Sequence, residues 1–119
     1  MGPEKKFENE VKKWLDALTD TWYFKVHGNG VQSSGIPDII ACVNGDFVAL
    51  EIKSEVGKLS ELQKSKLKRL YEVGGLVYVV KPSNFESVKV DIKCLISKDY
   101  DLVWANNETH LCAMGVLDV

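Results

Sequence analysis

The chain has 119 residues, with 15 basic and 17 acidic side chains, and 45% of its residues are apolar. This length and composition fit one domain with a hydrophobic core and exclude an intrinsically disordered chain. The sequence shows neither an apolar run of membrane-spanning length nor a secretion signal, and its three widely spaced cysteines do not suggest a disulfide framework. We therefore expect a cytoplasmic protein without membrane contact.

The first part of the chain predicts a helix, a strand and a hairpin. Apolar residues recur at helical spacing between Phe7 and Leu18. Residues 22–26 are aromatic and β-branched, as strands are, and the turn residues over 27–35 predict a loop. The Asn44-Gly45 pair predicts a tight turn between two further strands. The expected elements are therefore a helix over roughly residues 4–19 and strands over 22–26, 38–43 and 47–53.

A second helix and a buried strand follow. Ser60 with Gln63 three residues later is a capping-box pattern, and Gly74-Gly75 is a stop signal. We therefore expect a helix over about residues 60–73. Residues 76–80 are almost wholly apolar, which predicts a strand buried on both faces. The order helix, three strands, helix, strand is typical of an α/β fold.

The remaining residues, 83–119, give a weaker pattern. Residues 88–90 and 102–104 have the composition of short strands, while residues 90–96 fit a helix equally well. Large apolar residues recur from Leu95 to Met114, more than a disordered tail would carry. We expect this extension to lie against the core or in a subunit contact.

Charged side chains meet at one end of the predicted hairpin. Side chains alternate along a strand, so Glu51 and Lys53 share one face, and pairing about the Asn44-Gly45 turn brings Asp38 opposite them. Two carboxylates this close repel each other unless a cation lies between them, and their oxygens with the Ile52 carbonyl suit Mg²⁺. Such a site would support hydrolysis of phosphodiesters. An ordinary ion pair between Glu51 and Lys53, with Asp38 as a turn residue, fits the spacing equally well.

Three segments of the chain have the pattern of a known nuclease family. They are Ile36-Pro37-Asp38 followed after twelve residues by Glu51-Ile52-Lys53, residues 57–64, and residues 74–80. Together they resemble VRR-NUC domains of the PD-(D/E)XK superfamily, in the free-standing form found in phages and bacteria, over roughly residues 5–82. The arginines that give the family its name are missing, since residues 78–81 read Tyr-Val-Val-Lys.

The resemblance implies both a fold and an activity. The fold would be a restriction-endonuclease-like α/β core of order α-β-β-β-α-β, with a central mixed sheet flanked by helices, in a single domain over residues 1–119. The activity would be that of a Mg²⁺-dependent DNA endonuclease, with Mn²⁺ as a substitute and no small-molecule cofactor. It would cut branched DNA, above all four-way (Holliday) junctions, as a homodimer, in a bacterial host cell if phage-encoded. The alternatives are a flap or single-strand nuclease with a larger partner, or a non-catalytic nucleic-acid-binding subunit of the same fold.

The resemblance also assigns roles to particular residues. Asp38, Glu51 and the Ile52 carbonyl would hold the metal, and Lys53 would orient the attacking water. Gln63 would support the site, although a capping role with Ser60 explains it as well.

A further family glutamate lies on the first helix. The family pattern favours Glu8 over Glu10 as the residue that completes the catalytic and metal site, whereas helical geometry places both at the margin of the apolar stripe. A solvated acid in the first helical turn is the alternative for either residue.

Basic residues concentrate after the catalytic motif. Between Lys53 and Arg69 there are six basic residues against two acidic ones, a local balance of +4. A polyanion partner explains this, and so does a solvated helix face. The predicted DNA phosphate contacts are Lys58, Lys64, Lys66 and His27. We expect Trp14, Trp22 and Phe24 to lie in the core rather than to stack on bases.

Overall fold

The first six elements follow the predicted order, and two further helices come after them. The computed structural model describes residues 1–27 and 35–118, so most of the predicted loop over 27–35 lies outside the described residues. The elements are α1 (Pro3–Asp16), β1 (Thr21–Lys25), β2 (Ile39–Val43), β3 (Asp46–Ile52), α2 (Glu61–Glu72), β4 (Leu76–Val80), α3 (Phe85–Ile96) and α4 (Val103–Ala113). Among the described helices, none combines the length and apolar composition needed to cross a bilayer.

The four strands form one mixed sheet in the order β1-β2-β3-β4. The pairs β1–β2 and β2–β3 are antiparallel, and β3–β4 is parallel, with α2 in the crossover that connects them. Asn44 and Gly45 both have positive φ, 49° and 92°, which is the backbone of the predicted tight hairpin turn. The predicted restriction-endonuclease-like α/β core is therefore confirmed.

Helices cover both faces of the sheet. On one face, α1 and α3 pack over the side chains of Val48, Leu50 and Ile52. On the other face, α2 and α4 pack over Ala49 and over β4, where Leu67 and Leu111 are fully buried. Because side chains alternate along β3, this second face also carries Glu51. The predicted alternation along β3 is confirmed.

The extension after residue 83 is helical. Residues 88–90 lie inside α3 and residues 102–104 lead into α4, so the expectation of short strands is wrong, and the helix over residues 90–96 is the correct alternative. The buried residues of α3 follow helical spacing, as Phe85, Val88, Ile92 and Leu95 show. Both helices pack on the sheet, as expected for an extension that lies against the core.

Helix α4 closes the β4 edge of the sheet with polar side chains. The Asn107 amide accepts a hydrogen bond from the Val77 N–H at 3.3 Å and donates one to the Val77 carbonyl at 2.7 Å. His110 Nε2 accepts the Val79 N–H at 2.9 Å. Burial lowers the pKa of His110 to about 4, so the ring stays neutral and can accept this bond. The outer backbone groups of β4 are thus satisfied by side chains rather than by another strand.

Two of the aromatic residues expected in the core are on the surface. Trp14 packs partly against the core, but Trp22 is 66% exposed and Phe24 is 45% exposed. The alternation of β1 turns Tyr23 and Lys25 toward α1 and leaves Trp22 and Phe24 on the opposite face. Among the described residues, α2 and α4 pack on that face over β3, β4 and Ile40 of β2 but not over β1, which is why the expectation for these two residues is wrong.

Candidate active site

Two carboxylates adjoin at the end of the β2–β3 hairpin. Ile39 pairs with Leu50, so the register continues to Asp38 beside Glu51. The Ile52 N–H donates a 2.7 Å hydrogen bond to Asp38 Oδ2, so the backbone of Ile52 faces Asp38. The structure therefore brings Asp38 and Glu51 together, as the sequence predicted, with the Ile52 N–H beside them.

Glu51 is a buried carboxylate with one oxygen left over. Its Oε2 accepts a 2.6 Å hydrogen bond from Gln63 Nε2, and Lys53 Nζ lies 3.9 Å away. Its Oε1 is buried and has no hydrogen-bond partner among the described residues. Burial raises the pKa of Glu51, and the neighbouring charge of Asp38 raises it further, while Lys53 only partly offsets this. The negative charge of Glu51 is therefore only partly compensated by Lys53, and a further cation would stabilise it.

Gln63 makes the contacts that both of its predicted roles require, one with Ser60 and one with Glu51. Its backbone N–H donates to Ser60 Oγ at 3.1 Å, and its Oε1 accepts the Ser60 N–H at 2.9 Å, which completes a capping box at the start of α2. The Nε2 of the same amide holds Glu51. A fixed helix start thus sets the position of a donor to the buried carboxylate.

Lys25 joins the first helix to the site, and sequence reasoning missed it. Its Nζ lies 2.8 Å from Glu8 Oε1 and 3.3 Å from Asp38 Oδ1. Burial lowers the pKa of Lys25, but the two carboxylates outweigh this and raise it. The signal in the sequence was a single lysine ending a strand directly before the loop that leads to Asp38.

Glu8 rather than Glu10 lies at the site. Glu8 is 6% exposed, whereas Glu10 is exposed on the opposite side of α1. Burial raises the pKa of Glu8, but hydrogen bonds and charges from Lys25 and Lys5 lower it to about 2. Glu8 also pairs with Lys12 at 3.6 Å. Its carboxylate is thus ionised and neutralised by lysines.

The donor set of the hairpin end fits a divalent ion. Asp38 and Glu51 supply carboxylate oxygens, one of them without a partner, and the Ile52 peptide lies beside Asp38. Mg²⁺ needs only one or two protein carboxylates because it keeps several waters. Residues 1–27 and 35–118 hold no cluster of three or more Asp, Glu, His or Cys side chains suited to a metal, and Lys25 lies between Glu8 and Asp38.

Four lysines line a cleft next to Glu51. The cleft has a volume of about 260 Å³, and its basic residues are Lys53, Lys58, Lys64 and Lys81. Gly57 borders it, where a Cβ atom would lie 3.3 Å from Lys53 Cδ, so a residue without a side chain lets the loop pass close to that lysine. The end of α4 forms another wall.

The predicted phosphate contacts do not all lie in this cleft. Lys58 and Lys64 are in it, while Lys66 lines a separate apolar cavity and His27 is exposed at the end of β1. Lys81 joins the cleft although sequence reasoning passed over it.

The sheet and the placement of the motif define the class of protein. A mixed four-stranded sheet with Asp38 directly before one hairpin strand and Glu51-Ile52-Lys53 at the end of the other is the core of a PD-(D/E)XK nuclease. The family model described as the VRR-NUC domain matches residues 3–84, and the chain belongs to that family. Comparison with curated proteins and with solved structures gives no match.

Membership of this family implies a nuclease that acts on DNA, and nuclease domains of this kind commonly use divalent metals. The match ends at the residue before α3, so both C-terminal helices lie outside it.

Proposed function

We propose that this protein is a divalent-metal-dependent endonuclease that cuts branched DNA, above all four-way junctions, as a homodimer. The observation that carries the proposal is the pairing of Asp38 with the buried Glu51, whose Oε1 has no partner among the described residues. Lys53 and a lysine-lined cleft adjoin this pair. A polyanionic phosphodiester strand complements such a cleft.

Asp38, Glu51 and the Ile52 carbonyl would hold Mg²⁺ or Mn²⁺ in this proposal. A bound divalent ion acts as a Lewis acid on the phosphoryl oxygen and activates the attacking water. The protein fixes its donors beforehand: Gln63 holds Glu51 Oε2 and leaves Oε1 available, while the Ile52 N–H and Lys25 hold the two Asp38 oxygens. Each carboxylate oxygen has a second lone pair, so these hydrogen bonds do not prevent coordination.

Lys53 would orient the attacking water. Its ammonium is largely buried and lies 3.9 Å from Glu51 Oε2, so it has donor capacity to spare for a water or a phosphoryl oxygen at the site. Glu8 would act through Lys25, which it holds against Asp38, and is therefore a positioning residue in this scheme. Lys58 and Lys64 would hold the DNA backbone, which gives affinity rather than sequence preference.

The proposed homodimer follows from the substrate. Resolving a junction needs two symmetric cuts on separate strands, and a two-fold dimer supplies two sites in a fixed relation. Light scattering at micromolar concentration should give twice the 13.3 kDa of one chain. A mass near 13 kDa with junction cleavage intact contradicts the dimer.

The test of the activity is a panel of labelled DNAs. Four-way junction, flap, duplex and single-stranded substrates are incubated with the protein in Mg²⁺ and, as a control, in EDTA. We expect cleavage in Mg²⁺ only, fastest on the junction. Preference for the flap or the single strand would favour the alternative nuclease, and binding without cleavage of any substrate would indicate a non-catalytic subunit.

A further inference from the structure

The sheet face that carries the two carboxylates continues beyond them into an open apolar surface. In an antiparallel sheet, directly opposed residues lie on the same face. The row next to Asp38 and Glu51 contains Phe24 opposite Ile40, and the following row begins with Trp22. Helices α2 and α4 cover this face over β3, β4 and Ile40 of β2. Within residues 1–27 and 35–118, its β1 edge therefore stays open at Trp22 and Phe24, next to the row that carries Asp38 and Glu51.

The open part of this face is unusually apolar for a surface. Trp22 is 66% exposed, Phe24 is 45% exposed and Phe47, in the same row as Trp22, is 42% exposed. The rings of Trp22 and Phe24 lie 5.7 Å apart between centroids, at 50° to each other. Neighbouring exposed aromatic side chains on one surface are a mark of a binding site rather than of ordinary solvent-facing protein.

A cavity connects this surface to helix α2. It has a volume of about 290 Å³ and lies between β2 and α2. Its lining consists of Ile36, Pro37, Ile40, Lys66, Arg69 and Leu70. Ile40 pairs with Phe24, so the cavity and the exposed aromatic residues adjoin each other. We call Trp22, Phe24 and this cavity together the aromatic trough.

The rim of the aromatic trough is positively charged. Lys66 and Arg69 lie on it, and neither takes part in the salt bridges formed within residues 1–27 and 35–118. At the other end, Pro37 directly precedes Asp38. Flat apolar rings beside free cations are complementary to unstacked bases on a phosphate backbone. A base-paired duplex keeps its base faces stacked inside and cannot use the rings in this way.

We propose that the aromatic trough binds the unstacked bases of a single-stranded DNA segment next to the scissile phosphate. The proposal rests on the proposed nuclease function and makes its substrate class more specific: branched DNA with an unpaired or splayed segment beside the cut. Trp22 and Phe24 stack on bases, while Lys66 and Arg69 contact the phosphates of the same segment. This assigns Lys66 a role apart from the lysine cleft.

The test compares single-stranded with duplex binding. Dissociation constants are measured by fluorescence anisotropy in EDTA, for a labelled oligothymidine and a duplex of equal length. Trp22→Ala should weaken single-strand binding about fivefold or more, the low end for loss of one stacked base, with duplex binding nearly unchanged. Trp22→Phe should restore most of the loss. Trp104→Ala is the matched control, because Trp104 is 42% exposed and paired with Tyr100 but lies on α4, away from the trough.

Three results would contradict the proposed binding of single-stranded DNA to the aromatic trough. They are equal losses on both DNAs, no loss on either, and a change from dimer to monomer in Trp22→Ala, which would make the face a subunit interface. The parent protein is assayed for Mg²⁺-dependent cleavage in parallel. Cleavage without selective loss in Trp22→Ala refutes the trough alone, whereas a parent that neither binds nor cuts any DNA refutes the proposed function with it.

Discussion

His110 offers a prediction whose size follows from the structure. Its Nε2 accepts the Val79 N–H at the sheet edge, and burial lowers its pKa to about 4 from the ordinary 6.5. Between these values the unfolded chain takes up a proton on this ring and the folded chain does not. The free energy of unfolding therefore falls as the pH falls from about 6.5 to about 4, and the contribution is fully present above 6.5.

The size of this effect is about 3 kcal/mol, since one pKa unit corresponds to about 1.4 kcal/mol. His110→Gln is the matched variant, because the amide oxygen of glutamine can accept the same N–H but does not titrate. Burial raises the pKa of the nearby Asp91, which contributes with the opposite sign but equally in both proteins. Urea unfolding at several pH values between 7 and 4 should show the parent losing about 3 kcal/mol relative to the variant. If the free energies of unfolding of the two proteins changed with pH in parallel, His110 would not be a buried, neutral hydrogen-bond acceptor.

Three further substitutions probe the active site. Lys25→Met should lower the free energy of unfolding by about 2 kcal/mol, because Glu8 and Asp38 each lose a charged partner while Lys5 and Lys12 still neutralise Glu8. A loss in urea unfolding no larger than that of an exposed ion pair, below about 1 kcal/mol, would contradict this role of Lys25. Glu51→Gln should weaken Mn²⁺ binding at least about tenfold in calorimetric titration, and an unchanged Mn²⁺ affinity would count against the metal site. Ca²⁺ should bind the parent protein without supporting turnover. Gln63→Glu keeps the capping box with Ser60 but removes the donor to Glu51. It should reduce single-turnover cleavage at least about tenfold, and a normal rate would restrict Gln63 to capping.

The core fold could be predicted because its signals are local. The helical spacing from Phe7, the turn at Asn44-Gly45 and the cap at Ser60 each act within a few residues. The carboxylate pair could be predicted because the hairpin turn fixes the register of β2 and β3, which places Asp38 opposite Glu51. These parts depend on short-range geometry, which a sequence displays directly.

The parts that were missed depend on contacts between distant segments. Lys25 reaches from β1 to Glu8 on α1, and no spacing in the sequence shows that the two meet. Helix α4 buries Asn107 and His110 against the β4 edge, so its apolar pattern is weak even though it packs on the core. Trp22 is an aromatic residue in a strand, which suggests burial, yet α2 and α4 pack over β2, β3 and β4 and leave it 66% exposed.

The carboxylate pair and Lys53 are proposed to form a catalytic site rather than a structural ion pair. The most direct test of this proposal is the single-turnover cleavage rate of Asp38→Asn and Lys53→Ala on a four-way junction in Mg²⁺, with DNA affinity measured alongside. We predict that both variants lose cleavage while DNA binding stays within a few-fold of the parent, because Lys58 and Lys64, which would hold the DNA backbone, remain in both variants. Near-normal cleavage by either variant would contradict the account.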